Sequence, residues 1–212
     1  MMLILAIETS CDETALSLVK FKRNGEIKKI LANLVSSQIK IHAPFSGVVP
    51  HLAARAHREN LPLLLRQAQV NKLWPKIKYI AVTNGPGLSP CLWHGVNTAR
   101  NLARIHKKKL IAVNHLAGHI YSTWPFKFPV LALIVSGGHT DLVLIEDHDR
   151  YRLLGQTRDD AAGEAFDKVA KMLGFGYPGG AYIEKCAENG NEQAFDFPVP
   201  LLKDKKNLNF SF

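Results

Sequence analysis

Two histidines four residues apart, in His115-Leu-Ala-Gly-His119, follow an apolar strand and open a segment with helical character. On a helix that spacing puts both imidazoles on one face, where they can share a metal ion. Leu116 rather than glutamate follows the first histidine, so the zinc-protease pattern is absent. With nine histidines in the chain, the same spacing also arises by accident. Ser136-Gly-Gly-His-Thr140 is a tight turn between apolar strands, whose glycines let the backbone approach an anion closely. A plain Gly-Gly hairpin fits the same residues. In Gly163-Glu-Ala-Phe-Asp-Lys168, Glu164 and Asp167 occupy neighbouring helical positions. They either accept hydrogen bonds from a ribose or pair with Lys168 and Lys171 on a wet surface. Pro178-Gly-Gly180 precedes a helix and is either an N–H cradle for an anion or sugar oxygen, or a loop. Asp12 and Glu13, in an earlier polar turn, are the candidates for a catalytic base, which stays unassigned.

The elements that must position these residues follow from periodicity and punctuation. Strands are predicted at 3–8, 14–21 and 27–36, with a hairpin turn at Asn24-Gly25. A helix follows over about 50–68, with Leu52, Ala56, Leu63 and Leu64 near one face and Pro62 as a kink or break. Then come a strand (77–83), a Gly85-Pro-Gly87 turn, a helix (89–106), a strand (110–113) and a helix begun at Asn114 or His115. A second βββα series starts at Val130: strands from 130, over 141–146 and over 151–156, then a helix over 161–173. Asp159 and Asp160 are expected to cap that last helix and Gly174 to end it. A further helix lies near 181–189. The division predicted is a first lobe over 1–127 and a partial second lobe over 128–212. Because the second series lacks its remaining strand–helix pairs and stops in Asn207-Leu-Asn-Phe-Ser-Phe212, we read the chain as truncated.

At 212 residues and 47% hydrophobic content the chain is globular and can bury a sizeable core. No apolar run reaches the roughly 18 residues of a membrane span, and the first strand is too short for a signal-peptide core. Cys11, Cys91 and Cys186 are odd in number and far apart, which points to a reducing cytoplasm. A net charge of +9, from 27 Lys and Arg against 18 Asp and Glu, favours a polyanionic partner such as RNA.

Taken in order, Ile7-Glu-Thr-Ser-Cys-Asp-Glu-Thr14, Gly47-Val-Val-Pro50, Ala53-Ala-Arg-Ala-His57, Gly85-Pro-Gly-Leu88, Asn114-His-Leu-Ala-Gly-His119, Val135-Ser-Gly-Gly-His-Thr140, Asp159-Asp-Ala-Ala-Gly-Glu-Ala-Phe-Asp-Lys168 and Tyr177-Pro-Gly-Gly180 closely resemble one family. That family is the tRNA N6-adenosine threonylcarbamoyltransferases, formerly called O-sialoglycoprotein endopeptidases. The resemblance implies an α/β fold of the actin-like (ASKHA, ribonuclease H-like) type, two-lobed, with the second lobe incomplete here. It implies transfer of a threonylcarbamoyl group from threonylcarbamoyl-AMP to N6 of the adenosine beside the tRNA anticodon, in the cytoplasm. His115 and His119 would be ligands of a divalent metal, described as iron. Ile134, Val135, Ser136, Gly137 and Gly138 would form the substrate loop, and Asp167, Gly180 and Glu184 would contact the adenylate. Partners implied are tRNA, a paralogous subunit and a small ATPase subunit, with no membrane.

The chain departs from the family pattern at Ala117, where an acid is usual, and at Glu184, where Asp is common. Trp93 and His94 replace small aliphatic residues on the surface that pairs with the paralogue in relatives. A downstream Asp and Asn of the family lie beyond residue 212. In the implied reaction AMP leaves readily, whereas the adenine amino group is a weak nucleophile. The site must therefore position the reactants and stabilise charge on the carbonyl oxygen. Competing readings are an ATP-dependent kinase of the same fold and a non-catalytic paralogue that binds partner subunits. A protease is the weakest, since no general base accompanies the histidine pair.

Overall fold

The computed structural model describes residues 1–148, 150–201, 203–204 and 206–212, which form two units, Met1–Gly118 and His119–Phe212. In the first, strand β1 (Met2–Glu8) alternates strictly, burying Leu3, Leu5 and Ile7. It pairs antiparallel with β2 (Glu13–Phe21), which pairs antiparallel with β3 (Ile27–Ser37). Asn24-Gly25 makes the β2–β3 turn, where Gly25 adopts φ 87° and Asn24 accepts a hydrogen bond from the Glu26 amide.

After a one-turn helix α1 (Ile39–His42) comes α2 (Pro50–Gln67), and then β4 (Ile77–Gly85), α3 (Ser89–Ile105) and β5 (Lys109–Asn114). The parallel strands β4 and β5 extend the sheet to the order β3-β2-β1-β4-β5. Leu61 and Leu64 of α2 and Ala99 and Ala103 of α3 pack on Leu5, Leu16, Leu18, Ile80 and Val82. Pro62 does not end α2. The buried face of that helix runs through Ala53, Ala56, His57, Leu61 and Leu64, while Leu63, expected inside, is half exposed. Helix α4 (His115–Tyr121) follows β5 directly, its first turn capped by Asn114, whose side chain accepts from the Leu116 and Ala117 amides.

The second unit begins with the same antiparallel meander: β6 (Val130–Val135), β7 (Thr140–Asp147) and β8 (Arg150–Gln156), in that order. Helices α5 (Ala162–Met172) and α6 (Gly179–Ala187) follow. Residues 119–127, assigned to the first lobe from the sequence, fall in this unit, where an aromatic cluster holds them. Tyr121 bonds His148 at 2.9 Å, and Trp124, Phe126 and Phe128 pack around it. The cap of α5 also differs from expectation. Asp159 accepts from Ser211 and the Phe212 amide and Asp160 pairs with Lys168, so Thr140 Oγ1 accepts from the Ala162 amide instead. Gly174 ends α5 at φ 76°, as expected. The apolar tail lies along the end of β8. Phe210 bridges Thr157, and the Leu208 carbonyl passes so close to Gly155 that a Cβ there would meet it at 1.8 Å.

Candidate functional site

In the first unit the C-terminal ends of β1, β4 and β5 converge, and the start of α4 sits on them. Glu8, the last residue of β1, accepts from Thr83 Oγ1 at 2.5 Å and from the Ser10 amide. His115 Nδ1 lies 3.2 Å from the same carboxylate and 3.1 Å from Ser10 Oγ. Burial works against a charge on Glu8, but hydrogen bonds from His115, Thr83 and Ser10 outweigh it and hold the carboxyl down at about 2. A carboxylate that receives Nδ1–H fixes the tautomer and ring orientation of a histidine, the usual second partner of a metal-binding imidazole. His119 leaves the same helix four residues on.

The β1–β2 turn beneath His115 is held from two sides. Leu88 donates to the Ser10 carbonyl at 2.7 Å, and a Cβ on Gly87 would come within 2.6 Å of that oxygen, so the Gly85–Gly87 turn is moulded to it. On the other side, buried His57 bonds the Cys11 carbonyl through Nε2 at 2.9 Å and Thr14 Oγ1 through Nδ1 at 2.8 Å. Gln38 and His42 extend this buried network. Burial lowers the His57 pKa and keeps the ring neutral, which suits one donating and one accepting nitrogen. Asp12 and Glu13 do not join the cluster around His115; the Asp12 carbonyl accepts from Gln38, and Glu13 is exposed.

In the second unit Ser136 builds the Ser136–Thr140 turn. Its hydroxyl accepts from the Gly138 and His139 amides, and its own amide bonds the His139 carbonyl at 2.8 Å. Among the described residues, the Gly137 amide is the one in Ser136–His139 left without a partner. A Cβ on Gly137 or Gly138 would meet nothing, and neither residue is in the left-handed region, so internal sterics do not demand glycine. Ile134 points into the core while Val135 is exposed. Helix α5 abuts the turn, with Gly163 donating to the Ser136 carbonyl at 3.1 Å and its missing Cβ making room for Ser136 and Gly137.

Asp167, expected to face a ribose or Lys171, accepts from the Gly179 amide at 2.6 Å and so caps α6; Glu164 does pair with Lys168, at 3.0 Å. Gly180 is half-buried and Glu184, one turn further along α6, is exposed. The structure thus gathers His115 with Glu8, Ser10 and Thr83, and separately Ser136–Gly138 with α5. The signal that could have found Glu8 is an acid ending an otherwise apolar strand. Among the described residues no three His, Cys, Asp or Glu side chains form a metal-sized group. Two imidazoles four residues apart on one helix, the first with a carboxylate behind it, are by chemistry the kind of donors a divalent ion takes.

An antiparallel meander widened by parallel βαβ strands, with a polar β1–β2 turn under the strand ends and the meander begun again, defines an α/β protein of the actin-like, ribonuclease H-like class. The family pattern of TsaD, tRNA N6-adenosine threonylcarbamoyltransferase, matches residues 29–212, and the chain belongs to that family. A relative of that name from Endomicrobium trichonymphae is 52% identical over 98% of this chain and 62% of its own length. Another from Thermosipho africanus is 49% identical over 100% and 64%, and one from Listeria monocytogenes 49% over 99% and 60%. The chain therefore spans about three fifths of the length of these relatives. Among solved structures, YeaZ from Pseudomonas aeruginosa aligns over 71% of this chain and 65% of its own at 17% identity, with a TM-score of 0.44.

Proposed function

We propose that the chain carries part of a tRNA N6-adenosine threonylcarbamoyltransferase, moving threonylcarbamoyl from threonylcarbamoyl-AMP to N6 of the adenosine beside the tRNA anticodon. The observation that carries this reading is His115 at the start of α4, oriented through Nδ1 by Glu8 and Ser10, in a chain whose relatives bear that name. His115 and His119 would hold a divalent metal, iron by resemblance, which when bound supplies Lewis-acid polarisation. The chain's own residues position. Glu8 fixes the His115 ring, and His57 and Gly87 hold the turn that carries Ser10. In the second unit, the open Gly137 amide and the space over Gly137 and Gly138 suit the phosphate of an adenylate. Asp167 Oδ2, Gly180 and Glu184 suit its nucleoside, with Asp167 Oδ1 already spent on α6.

The partners in this reading are tRNA, threonylcarbamoyl-AMP, a paralogous subunit and a small ATPase subunit. No helix among the described residues is long and apolar enough to cross a membrane, and three free cysteines suit the cytoplasm. The relatives' names favour neither a kinase nor a scaffold. The test is metal content and labelled-threonine transfer to tRNA, measured with the part of a relative that this chain does not span joined to it. His115→Ala with His119→Ala is expected to remove bound metal and transfer together. Undiminished metal in the double variant would overturn the assignment.

A further inference from the structure

Three polar side chains that are fully buried, Gln38, His42 and His57, meet behind the β1–β2 turn. Gln38 lies between β3 and α1, His42 ends α1, and His57 is on α2. Their hydrogen bonds form a chain whose two ends are backbone groups. At one end the Val49 amide donates to His42 Nδ1 at 3.3 Å. At the other the Cys11 carbonyl accepts from His57 Nε2 at 2.9 Å.

Those ends fix every proton between them. A backbone N–H only donates, so His42 Nδ1 is bare and the ring's single proton sits on Nε2. That proton goes to Gln38 Oε1 at 3.1 Å, which sets the orientation of the carboxamide. Its nitrogen therefore faces the Ala53 carbonyl and His57 Nδ1, each at 3.4 Å. A carbonyl only accepts, so His57 is protonated on Nε2, while its bare Nδ1 accepts from Gln38 and, at 2.8 Å, from Thr14 Oγ1. Both rings are neutral Nε2–H tautomers, and the chain runs one way, from the entrance of α2 to the β1–β2 turn.

That turn is held at three successive carbonyls. Ser10, Cys11 and Asp12 accept from the Leu88 amide at 2.7 Å, the His57 ring at 2.9 Å and the backbone amide of Gln38 at 3.1 Å. So held, the turn brings the Ser10 hydroxyl to 3.1 Å from His115 Nδ1. Two of the three donors depend on Gln38, one being its own backbone and the other a ring that its side chain supports.

We propose that Gln38 is a positioning residue for the His115 site, its carboxamide joining α1 and α2 to the β1–β2 turn so that Ser10 is held against His115. This rests on reading His115 as a functional residue, but its test needs neither metal nor tRNA. Proton–nitrogen NMR of the histidine rings tells a protonated ring nitrogen from a bare one, with single-histidine variants for assignment. At neutral pH, His42 and His57 are each expected to show Nε2 protonated and Nδ1 bare. A proton on Nδ1 of either ring would overturn the one-way chain. Gln38→Glu keeps the acceptor toward His42 but sets an oxygen before His57 Nδ1, and should draw a second proton onto that ring. The titratable groups already around it are His42 on α1, His94 on α3, Glu8 on β1, and Cys11 and Asp12 in the turn. A His57 that stays neutral in this variant would overturn the contact with Gln38. Gln38→Leu removes the carboxamide and should shift the His115 ring signals, whereas Lys40→Ala, exposed on α1, should leave them in place. Gln38→Met, of similar length, gives the same reading if the leucine chain does not fold. Lower stability with unmoved His115 signals would make Gln38 a core residue only and overturn the positioning role. Neither outcome touches the transferase reading, which the metal and transfer measurements decide.

Discussion

Glu8 accepts hydrogen bonds from a side chain on β4, from its own turn and from the first residue of α4. Glu8→Gln keeps the shape but turns one of two acceptor oxygens into a donor, which must face either the Ser10 amide or Thr83 and His115. Unfolding in denaturant should register a loss of about 1–3 kcal/mol. If the metal reading holds, metal affinity should also fall by about 10–100-fold while the histidines remain. His57 sets a pH limit of a different kind. Its ring is neutral when folded because burial penalises the charge, and the unfolded chain takes up a proton more readily, near 6.5. Its contribution is therefore intact above that value and is lost as pH falls below it. His57→Gln, which keeps a donor and an acceptor but does not titrate, should flatten the stability–pH slope below about 6.5. An equally steep slope in that variant would assign the proton uptake elsewhere.

Glycines separate elements that are packed from within from one that is open to a ligand. At Gly163 a Cβ would sit 2.8 Å from the Ser136 carbonyl, and at Gly95 2.2 Å from Thr9 Oγ1. Alanine at either should cost about 1–3 kcal/mol in thermal or chemical unfolding. Gly137→Ala meets open space, so stability should hold, and if the adenylate reading holds, adenylate affinity should drop. The element pattern was legible because alternation and turn residues are local. β1 to β8 and the longer helices fall within a few residues of their predicted bounds. What escaped was tertiary. Asp167 caps α6 rather than facing Lys171, Thr140 rather than Asp159 or Asp160 caps α5, and Glu8, which no motif singled out, reaches His115. In each case the partner lies on another element, or across a turn whose geometry decides which acid points inward. No spacing rule along one strand or helix contains that information.

At the scale of the molecule, each unit exposes apolar surface as well as charge. Leu131, Leu133 and Val135 project from the same side of β6 and are each more than half exposed. Such a patch promotes self-association. Leu133→Thr, which keeps strand propensity, should raise the concentration at which light scattering first reports aggregates. The first unit, at +12 from 17 Lys and Arg against 5 Asp and Glu, should bind polyanions far more tightly than the second when the two are compared in low salt. One contact at its basic end has an optical consequence. Trp74 and His106 stack with ring centroids 3.8 Å apart, and His106 immediately precedes Lys107–Lys109. Of the three indoles, Trp74 alone lies against that loop, so its emission is an internal gauge of it. Any occupant that shifts the loop changes the quenching of that one fluorophore, and its arrival can be timed without a label on either molecule.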